Sequence, residues 1–390
     1  MLQAWSLWKG RITMDIFKMK TEIRFGDGAL ESLSEFQAES AVIITDAFMV
    51  KSGAAEKISQ YLKNCKKVSI FGDVKPNPPI ELVAEGLKFL NSSNADLVIA
   101  LGGGSSIDAA KSVLFMAKQN GKKMPLVAIP TTSGTGSEVT KFAVVTDLQA
   151  GIKYPLVSDD LLPEVAILDA SLVISAPPAI TADTGFDAIT HAIEAYVSTE
   201  ANDFSDAMAE KATALAFEYL LDAYHDGTNV KAREKMHSAS CLAGLSFSEV
   251  SLGINHGIAH ALGVCFHIPH GRANAMLLPI VIEYNADLPS TYGGEVTEAA
   301  KRYAKLAKLV GLPCPNVRAG VMNLVHKLND MLKRTKTPLT LGQQGVTGEQ
   351  FATYKDKIIH DALQDACTST NPRKVTAEDV ANILNHLAKW

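Results

Sequence analysis

The stretch Asp96–Lys118, DLVIALGGGSSIDAAKSVLFMAK, decides the fold. It begins with a short apolar run without polar alternation, which predicts a strand buried on both faces of a sheet. Gly102, Gly103 and Gly104 end the run, Ser105 or Ser106 can serve as an N-cap, and apolar spacing predicts a helix from Ser106 to Lys118. The alternation recurs on both sides. TEIRF from Thr21 predicts a strand, with a turn at Gly26–Gly28 and a helix at about 29–36. AVIITD (Ala41–Asp46) precedes a helix at about 54–64, and KVSIFG precedes the PNPP turn and a helix over 80–90. PLVAIP runs into the polar loop TTSGTGSE (Thr131–Glu138), and VAILD closes the series near Asp169. Short apolar runs alternating with helices predict an α/β, Rossmann-like domain with a parallel sheet covered on both faces.

After about Pro178 the period changes. From Thr181 to Trp390 only helical spacing is found, as in SDAMAEKATALAFEYLLDAY, while Thr347 with Gln350 makes a capping box and Pro338 and Pro372 mark loops. The chain therefore divides into an α/β domain over 1–178 and an all-α domain over 179–390, without internal repeats.

The helical half carries the second informative stretch, Gly253–Asn274, GINHGIAHALGVCFHIPHGRAN, with four of the ten histidines. His256 and His260 stand at i and i+4, one face of a helix, and His270 follows the helix-breaking Pro269. In TGFDAITHAIEAY (Thr184–Tyr196), Asp187 and His191 repeat the i, i+4 spacing. One carboxylate and three imidazoles can converge from two helices and a loop, a donor set that suits iron or zinc. A single helical histidine is more often a packed or surface side chain; the argument rests on two such pairs. Cys265, between His260 and His270, is either a thiolate ligand or a small buried hydrophobe.

On the other half, glycines after a strand let a backbone approach a pyrophosphate, and the helix behind them offers free N–H groups. The run Gly102–Gly104 is not a GxGxxG fingerprint and is alternatively a tight strand-to-helix turn. The Thr131–Glu138 loop follows a second strand, and paired loops at strand C-terminal ends are where an open sheet takes its ligand. Asp46 ends its strand where a carboxylate accepts hydrogen bonds from an adenosine ribose and repels a 2′-phosphate, which predicts NAD(H) over NADP(H). Alternatively it only caps the next helix.

At 390 residues the chain has length for two or three domains, and 47% hydrophobic residues supply large cores. A net charge of -5, with no basic block, argues against nucleic acid. No apolar run approaches the roughly 18 residues of a membrane span. Five cysteines without a CxxC pair suggest a reducing, cytoplasmic compartment. Met14 is a candidate alternative start, the residues before it being otherwise an upstream reading error, a tag or a targeting helix.

The strings GFDAITHAIEAY and NHGIAHALGVCFHIPHGRANA resemble the two signatures of the iron-containing, or group III, alcohol dehydrogenases, and the similarity runs from about Thr21 to the C-terminal DACTSTNPRKVTAEDVANIL. The resemblance implies the two-domain plan shared with dehydroquinate synthase-like proteins. It implies Asp187, His191, His256 and His270 as ligands of Fe2+, with Zn2+ a competitor by intrinsic affinity, and His260 near the nicotinamide as a proton-transfer group. It implies Gly103, Gly104 and Ser105 on the pyrophosphate with Asp108 supporting that turn. Thr131, Thr132 and Ser137 fall nearer the phosphates and nicotinamide ribose, and Lys153 at the coenzyme ribose, where the residue alone also reads as an exposed, solvated charge in a hairpin. The metal acts there as a Lewis acid while the nicotinamide takes the hydride. Within the family, KMHSASCLAGLSFSEVSLGINHGIAHALG and SGTGSEVTKFAVVTD look most similar to 1-propanol dehydrogenases of propanediol utilisation, which implies propanal reduction and possible contact with a microcompartment shell. Relatives pair through the N-terminal strand region, which implies a homodimer or larger homo-oligomer through the edge at Thr21–Phe25. The rival readings are a zinc glycerol-dehydrogenase relative, a sugar-phosphate lyase on the same plan, and a non-catalytic nucleotide or metal sensor. The lyase needs an Arg and Lys cluster near the metal, where this chain has Arg272.

Overall fold

The apolar runs pair as one sheet. In the computed structural model, which describes residues 17–148, 152–290 and 294–390, the strands are β1 (Glu22–Phe25), β2 (Ala38–Asp46), β3 (Cys65–Val74), β4 (Leu97–Gly102), β5 (Leu126–Pro130), β6 (Phe142–Asp147), β7 (Ile152–Val157) and β8 (Val165–Leu168). Met14 lies outside the described residues. Six strands form a parallel sheet in the order β1-β8-β5-β4-β2-β3. Alternate residues of one strand serve opposite faces. Val42, Ile44, Val98 and Ala100 pack under α3 (Ile80–Ser92) and α4 (Gly104–Gln119). Ile43, Ile99 and Ile129 meet the other layer, where Ala55 and Ile58 of α2 (Ala54–Tyr61), the helix after the short α1 (Ala47–Lys51), cover them.

The strand order reverses between β2 and β4, the topological switch point at which an open α/β sheet leaves a crevice beyond its strand C-terminal ends. Asp46 and Gly102 end these two strands.

Two local features depart from the sequence reading. Residues Ala29–Glu35 form a 3-10 helix rather than an α-helix. The hairpin expected around Lys153 is an antiparallel ribbon of two strands, β6–β7, which the apolar runs do not mark although its alternate residues Ala143 and Val145 are buried, the period of a half-covered strand.

From Pro178 onward the described residues hold helices and no strand. These are α5 (Pro178–Val197), α6 (Asp203–His225), α7 (Val230–Val250), α8 (Ile254–Phe266), α9 (His270–Ala286), α10 (Glu298–Leu309), α11 (Val317–Arg334), α12 (Gly348–Gln364) and α13 (Ala377–Leu387). One core joins Phe186, Ile189, Ile193 and Tyr196 of α5 to α6, α7, α10 and α11, and a second joins α8 and α9 to α12 and α13. The helix α5 lies against α6, α7 and α9, at the centre of the helical half. Backbone meets backbone where this half touches the α/β half. Gly136 has φ of 59°, and a Cβ added there would lie 2.6 Å from the Cα of Gly244 on α7.

Candidate metal centre and coenzyme crevice

Asp187 and His191 project from α5, His256 from the first turn of α8 and His270 from the first residue of α9. The break at Pro269 turns the chain so that His270 returns toward His256, and their ring centroids are 5.3 Å apart. The ligating atoms of Asp187, His191, His256 and His270 all lie within 4.8 Å of one another. Asp187 Oδ1 is 3.5 Å from His270 Nε2 and 4.0 Å from His256 Nε2, and the rings of His191 and His256 stack at 4.6 Å. Three imidazole nitrogens and one carboxylate oxygen in a buried niche fit Fe2+ or Zn2+, and the donor count leaves room for a substrate oxygen if coordination expands.

Electrostatics favour that use. Burial would raise the pKa of Asp187, but His191, His270, His256 and the Asn274 amide outweigh it and hold the carboxylate ionised. Burial pushes His256 and His270 well below the ordinary histidine range, so both rings are neutral and carry a lone pair for a cation.

The surrounding shell holds residues absent from the sequence reading. His191 Nδ1 donates to the Gly134 carbonyl at 3.2 Å, leaving Nε2 for the niche. Asn274 Nδ2 donates to Asp187 Oδ1 at 2.8 Å, with His256 Nε2 at 2.9 Å and His270 Nε2 at 3.2 Å. Glu194 Oε2 lies 2.5 Å from His256 Nδ1. Burial pushes Glu194 up to about 8 against the N–H groups of Asn255 and His256. The signals existed: Glu194 is one turn beyond His191 on α5, and Asn274 one turn beyond His270 on α9.

His260 stands apart from the niche, its ring stacked on His270 at 5.2 Å and its Nδ1 2.7 Å from Asp365 Oδ2. Burial would raise Asp365, but His260 and the N–H of Cys367 bring its pKa down to about 2, so it stays a carboxylate that orients the imidazole. Asp365 opens the C-terminal string DACTSTNPR, which by itself has no spacing signal. Cys265 is half-buried in the apolar cluster of α8, α9, α12 and α13, outside the four-residue group, and acts as a hydrophobe there.

At the switch point, Gly102 adopts φ of 143°, and an added Cβ would meet the Ser106 side chain at 2.5 Å. Its carbonyl accepts the Thr131 N–H at 2.9 Å, tying the two expected loops together. Gly103, Gly104, Ser105 and Thr132 remain partly exposed beside the N-terminus of α4. Asp46 Oδ1 accepts the N–H of Phe48 at 2.8 Å and of Met49 at 3.0 Å, so the residue does cap α1, while Oδ2 faces Ser106 Oγ at 3.3 Å beside the glycine turn. The capping and ribose readings are therefore compatible.

Asp108 differs from the expectation. It takes the Ser137 hydroxyl at 2.5 Å and the Val144 N–H at 3.1 Å, bracing the polar loop and β6 rather than the glycine turn, because it stands one helical turn further into α4. Ser137 is buried with its hydroxyl committed to Asp108, and so supports the loop instead of facing the crevice. Lys111, buried one turn later, donates to the Ser137 carbonyl at 3.0 Å, to Thr140 Oγ1 at 3.1 Å and to the Phe142 carbonyl. Burial brings its pKa down to about 8 against the pull of Asp108 and Glu138. Lys153 is half-buried on β7 opposite Thr146 rather than fully solvated, and burial lowers its pKa.

Comparison with known proteins agrees with this geometry. A model of iron-containing alcohol dehydrogenase matches residues 20–170, and one of the C-terminal part of the Fe-containing alcohol dehydrogenase family matches 181–388. The 1-propanol dehydrogenase PduQ of Salmonella typhimurium is 42% identical over 378 residues, 96% of this chain and all of that protein. The crystal structure of a 1,3-propanediol oxidoreductase superposes with a TM-score of 0.88 at 32% identity, covering 96% of this chain and 100% of its own. Sulfoacetaldehyde reductase from Bifidobacterium kashiwanohense, solved in complex with NAD+, gives 0.84 at 29% identity, covering 96% of this chain and 99% of its own. The chain belongs to the iron-containing alcohol dehydrogenase family, and with it to the metal-dependent alcohol dehydrogenases.

Proposed function

We propose that this enzyme interconverts a short-chain primary alcohol and its aldehyde, propanal and 1-propanol first, with NAD(H) as hydride carrier and Fe2+ or Zn2+ held by Asp187, His191, His256 and His270. The observation that carries the reading is the convergence of these four donors, tied to the loop 131–138 by the bond from His191 to the Gly134 carbonyl. The similarity to a 1-propanol dehydrogenase supports the substrate, and the NAD+ complex of a relative together with Asp46 supports the coenzyme.

When bound, the metal supplies Lewis acidity to the substrate oxygen, and the nicotinamide supplies the hydride chemistry. The chain's own residues align and shuttle. Gly103, Gly104 and Ser105 admit the pyrophosphate at the N-terminus of α4, and Thr131 and Thr132 border the same crevice. Asp108, Lys111 and Ser137 fix the loop, and Lys153 approaches the coenzyme ribose. His260 moves the proton, with Asp365 on Nδ1 leaving Nε2 to face the reaction or solvent. The dinucleotide-binding domain spans 1–178 and the metal-binding domain 179–390. The exposed Phe25 on the edge strand β1 supports pairing of two copies there, and the similarity to the 1-propanol dehydrogenase PduQ supports residence near a microcompartment shell. Among the described residues no helix is long and apolar enough to cross a membrane.

The test is anaerobic NADH oxidation with propanal after loading with Fe2+ or Zn2+ in turn. Replacing His256 or Asp187 with Ala should remove metal and activity together, whereas His260→Ala should keep the metal and slow turnover by about 100-fold, a usual contribution of a proton-transfer group. Equal metal loss in all three variants would show His260 to be a ligand. Bound metal without turnover would favour a lyase or a sensor.

A further inference from the structure

Glu194 is a buried carboxylate, 3% exposed, on the helix that also bears Asp187 and His191. Oε1 accepts the Asn255 N–H at 2.9 Å; Oε2 faces the His256 N–H at 3.3 Å and the His256 ring at 2.5 Å from Nδ1. These N–H groups belong to the first turn of α8, where they lack helical partners and where the helix dipole favours an anion.

We propose that Glu194 is a positioning residue that locks His256 into the tautomer with its proton on Nδ1, and thereby leaves the Nε2 lone pair as a ligand atom. The inference rests on the reading of His256 as a metal ligand. Both oxygens of Glu194 already face backbone N–H groups, so the oxygen opposite Nδ1 acts as acceptor and the ring nitrogen as donor. A neutral imidazole with one proton on Nδ1 has an acceptor at Nε2. The far side of the ring agrees with that choice, the Asn274 NH2 sharing its two protons among Asp187 Oδ1, His256 Nε2 and His270 Nε2. Asn274 Nδ2 is directed at His256 Nε2 at 2.9 Å, and its orientation is fixed because the same amide donates to Asp187 Oδ1 while Asn274 Oδ1 accepts from Asn255 Nδ2 at 3.0 Å. A donor on one side and an acceptor on the other leave one tautomer.

Glu194→Gln isolates this role because shape is kept. With its oxygen toward the Asn255 N–H, the amide NH2 faces Nδ1 and drives the ring proton to Nε2, blocking ligation. With its oxygen toward Nδ1, the NH2 confronts the Asn255 N–H, donor against donor. Either way the ligand form of His256 becomes disfavoured, and loss of such an orienting partner typically costs 10–100-fold in metal affinity.

The experiment is Zn2+ titration of the metal-free full-length protein against a chromophoric chelator, for wild type, Glu194→Gln and His256→Ala, with thermal melts of the metal-free forms alongside. The expected result is at least about 10-fold weaker Zn2+ binding by Glu194→Gln with a metal-free melting point close to wild type. Wild-type affinity in Glu194→Gln with metal loss in His256→Ala would overturn the proposal and leave His256 a ligand. Wild-type affinity in His256→Ala would overturn both. If Glu194→Gln does not fold, 15N-histidine NMR of the zinc-loaded wild type decides. A proton coupled to His256 Nδ1 supports the tautomer lock, and a bare Nδ1 overturns it.

Discussion

The Asp46 side chain allows coenzyme choice to be separated from helix capping. Asp46→Asn keeps an oxygen for the Phe48 and Met49 N–H groups, and Asn is as good an N-cap as Asp. Asp46→Gly gives up the side-chain cap at a cost of a few tenths of a kcal/mol. Both remove the charge beside Gly102. A 2′-phosphate about 4 Å from a carboxylate is repelled by about 4 kcal/mol per charge pair at an effective dielectric of 20 and about 1 kcal/mol in water. Asp46 is half-buried, so about 2 kcal/mol applies, roughly 30-fold in favour of NADPH once the charge is gone. NADH loses a charge-assisted hydrogen bond from its ribose, about 1.5–3 kcal/mol. The ratio of kcat/KM for NADPH to that for NADH should therefore rise by about 1000-fold in Asp46→Gly, and by a smaller factor of about 100-fold in Asp46→Asn, whose amide keeps a neutral hydrogen bond to the ribose. Steady-state rates with propanal at fixed metal and ionic strength measure it, and thermal melts show whether the cap survived. An unchanged ratio in both variants, with both folded, would refute the electrostatic argument and leave Asp46 a cap alone.

Two more outcomes are expected from buried groups. His237 Nδ1 meets Ser133 Oγ at 3.0 Å while Nε2 is buried without a partner among the described residues, and burial lowers its pKa from 6.5 to about 4. The unfolded chain takes up that proton first, so the stabilisation is present above about pH 6.5 and is lost as pH falls to about 4, up to about 3 kcal/mol. Urea melts across this range should show a shallower acid slope for His237→Gln, and an identical slope would remove His237 as the cause. Gly244→Ala puts a Cβ 2.8 Å from the Gly136 carbonyl, which should cost about 1–3 kcal/mol and weaken NADH binding. Thermal melts and coenzyme titration check this, and wild-type values in both would mean that the seam relaxes freely.

How much of the molecule is legible in the sequence depends on how local each signal is. Residues 97–102 are apolar without interruption because β4 is covered on both faces, and that pattern needs no knowledge of partners. Asp187 with His191 and the histidines of α8 are legible because ligands on one helix must recur at helical spacing. Asp365 is not, because its partner His260 is 105 residues away and nothing near Asp365 repeats. The bracing role of Asp108 is hidden for a related reason: a helix N-terminus is read along the chain, whereas the partners of Asp108 arrive on a loop that folds back onto α4. The ribbon β6–β7 is legible only as a hairpin at Lys153 and not as two strands, because its residues are half-exposed and burial alternates too few times to register.

The contact between Gly136 and Gly244 also bears on recombination between relatives. Neither half can drift in backbone position without the other, and the bond from His191 to the Gly134 carbonyl crosses the same border. A chimera joining this chain's first half to a relative's second half at Pro178 would keep every strand and every helix intact, and would still inherit its fit at this border from two different parents. Such hybrids should succeed when the loop 131–138 is transplanted together with the helices it touches, and fail when the cut follows the domain boundary alone.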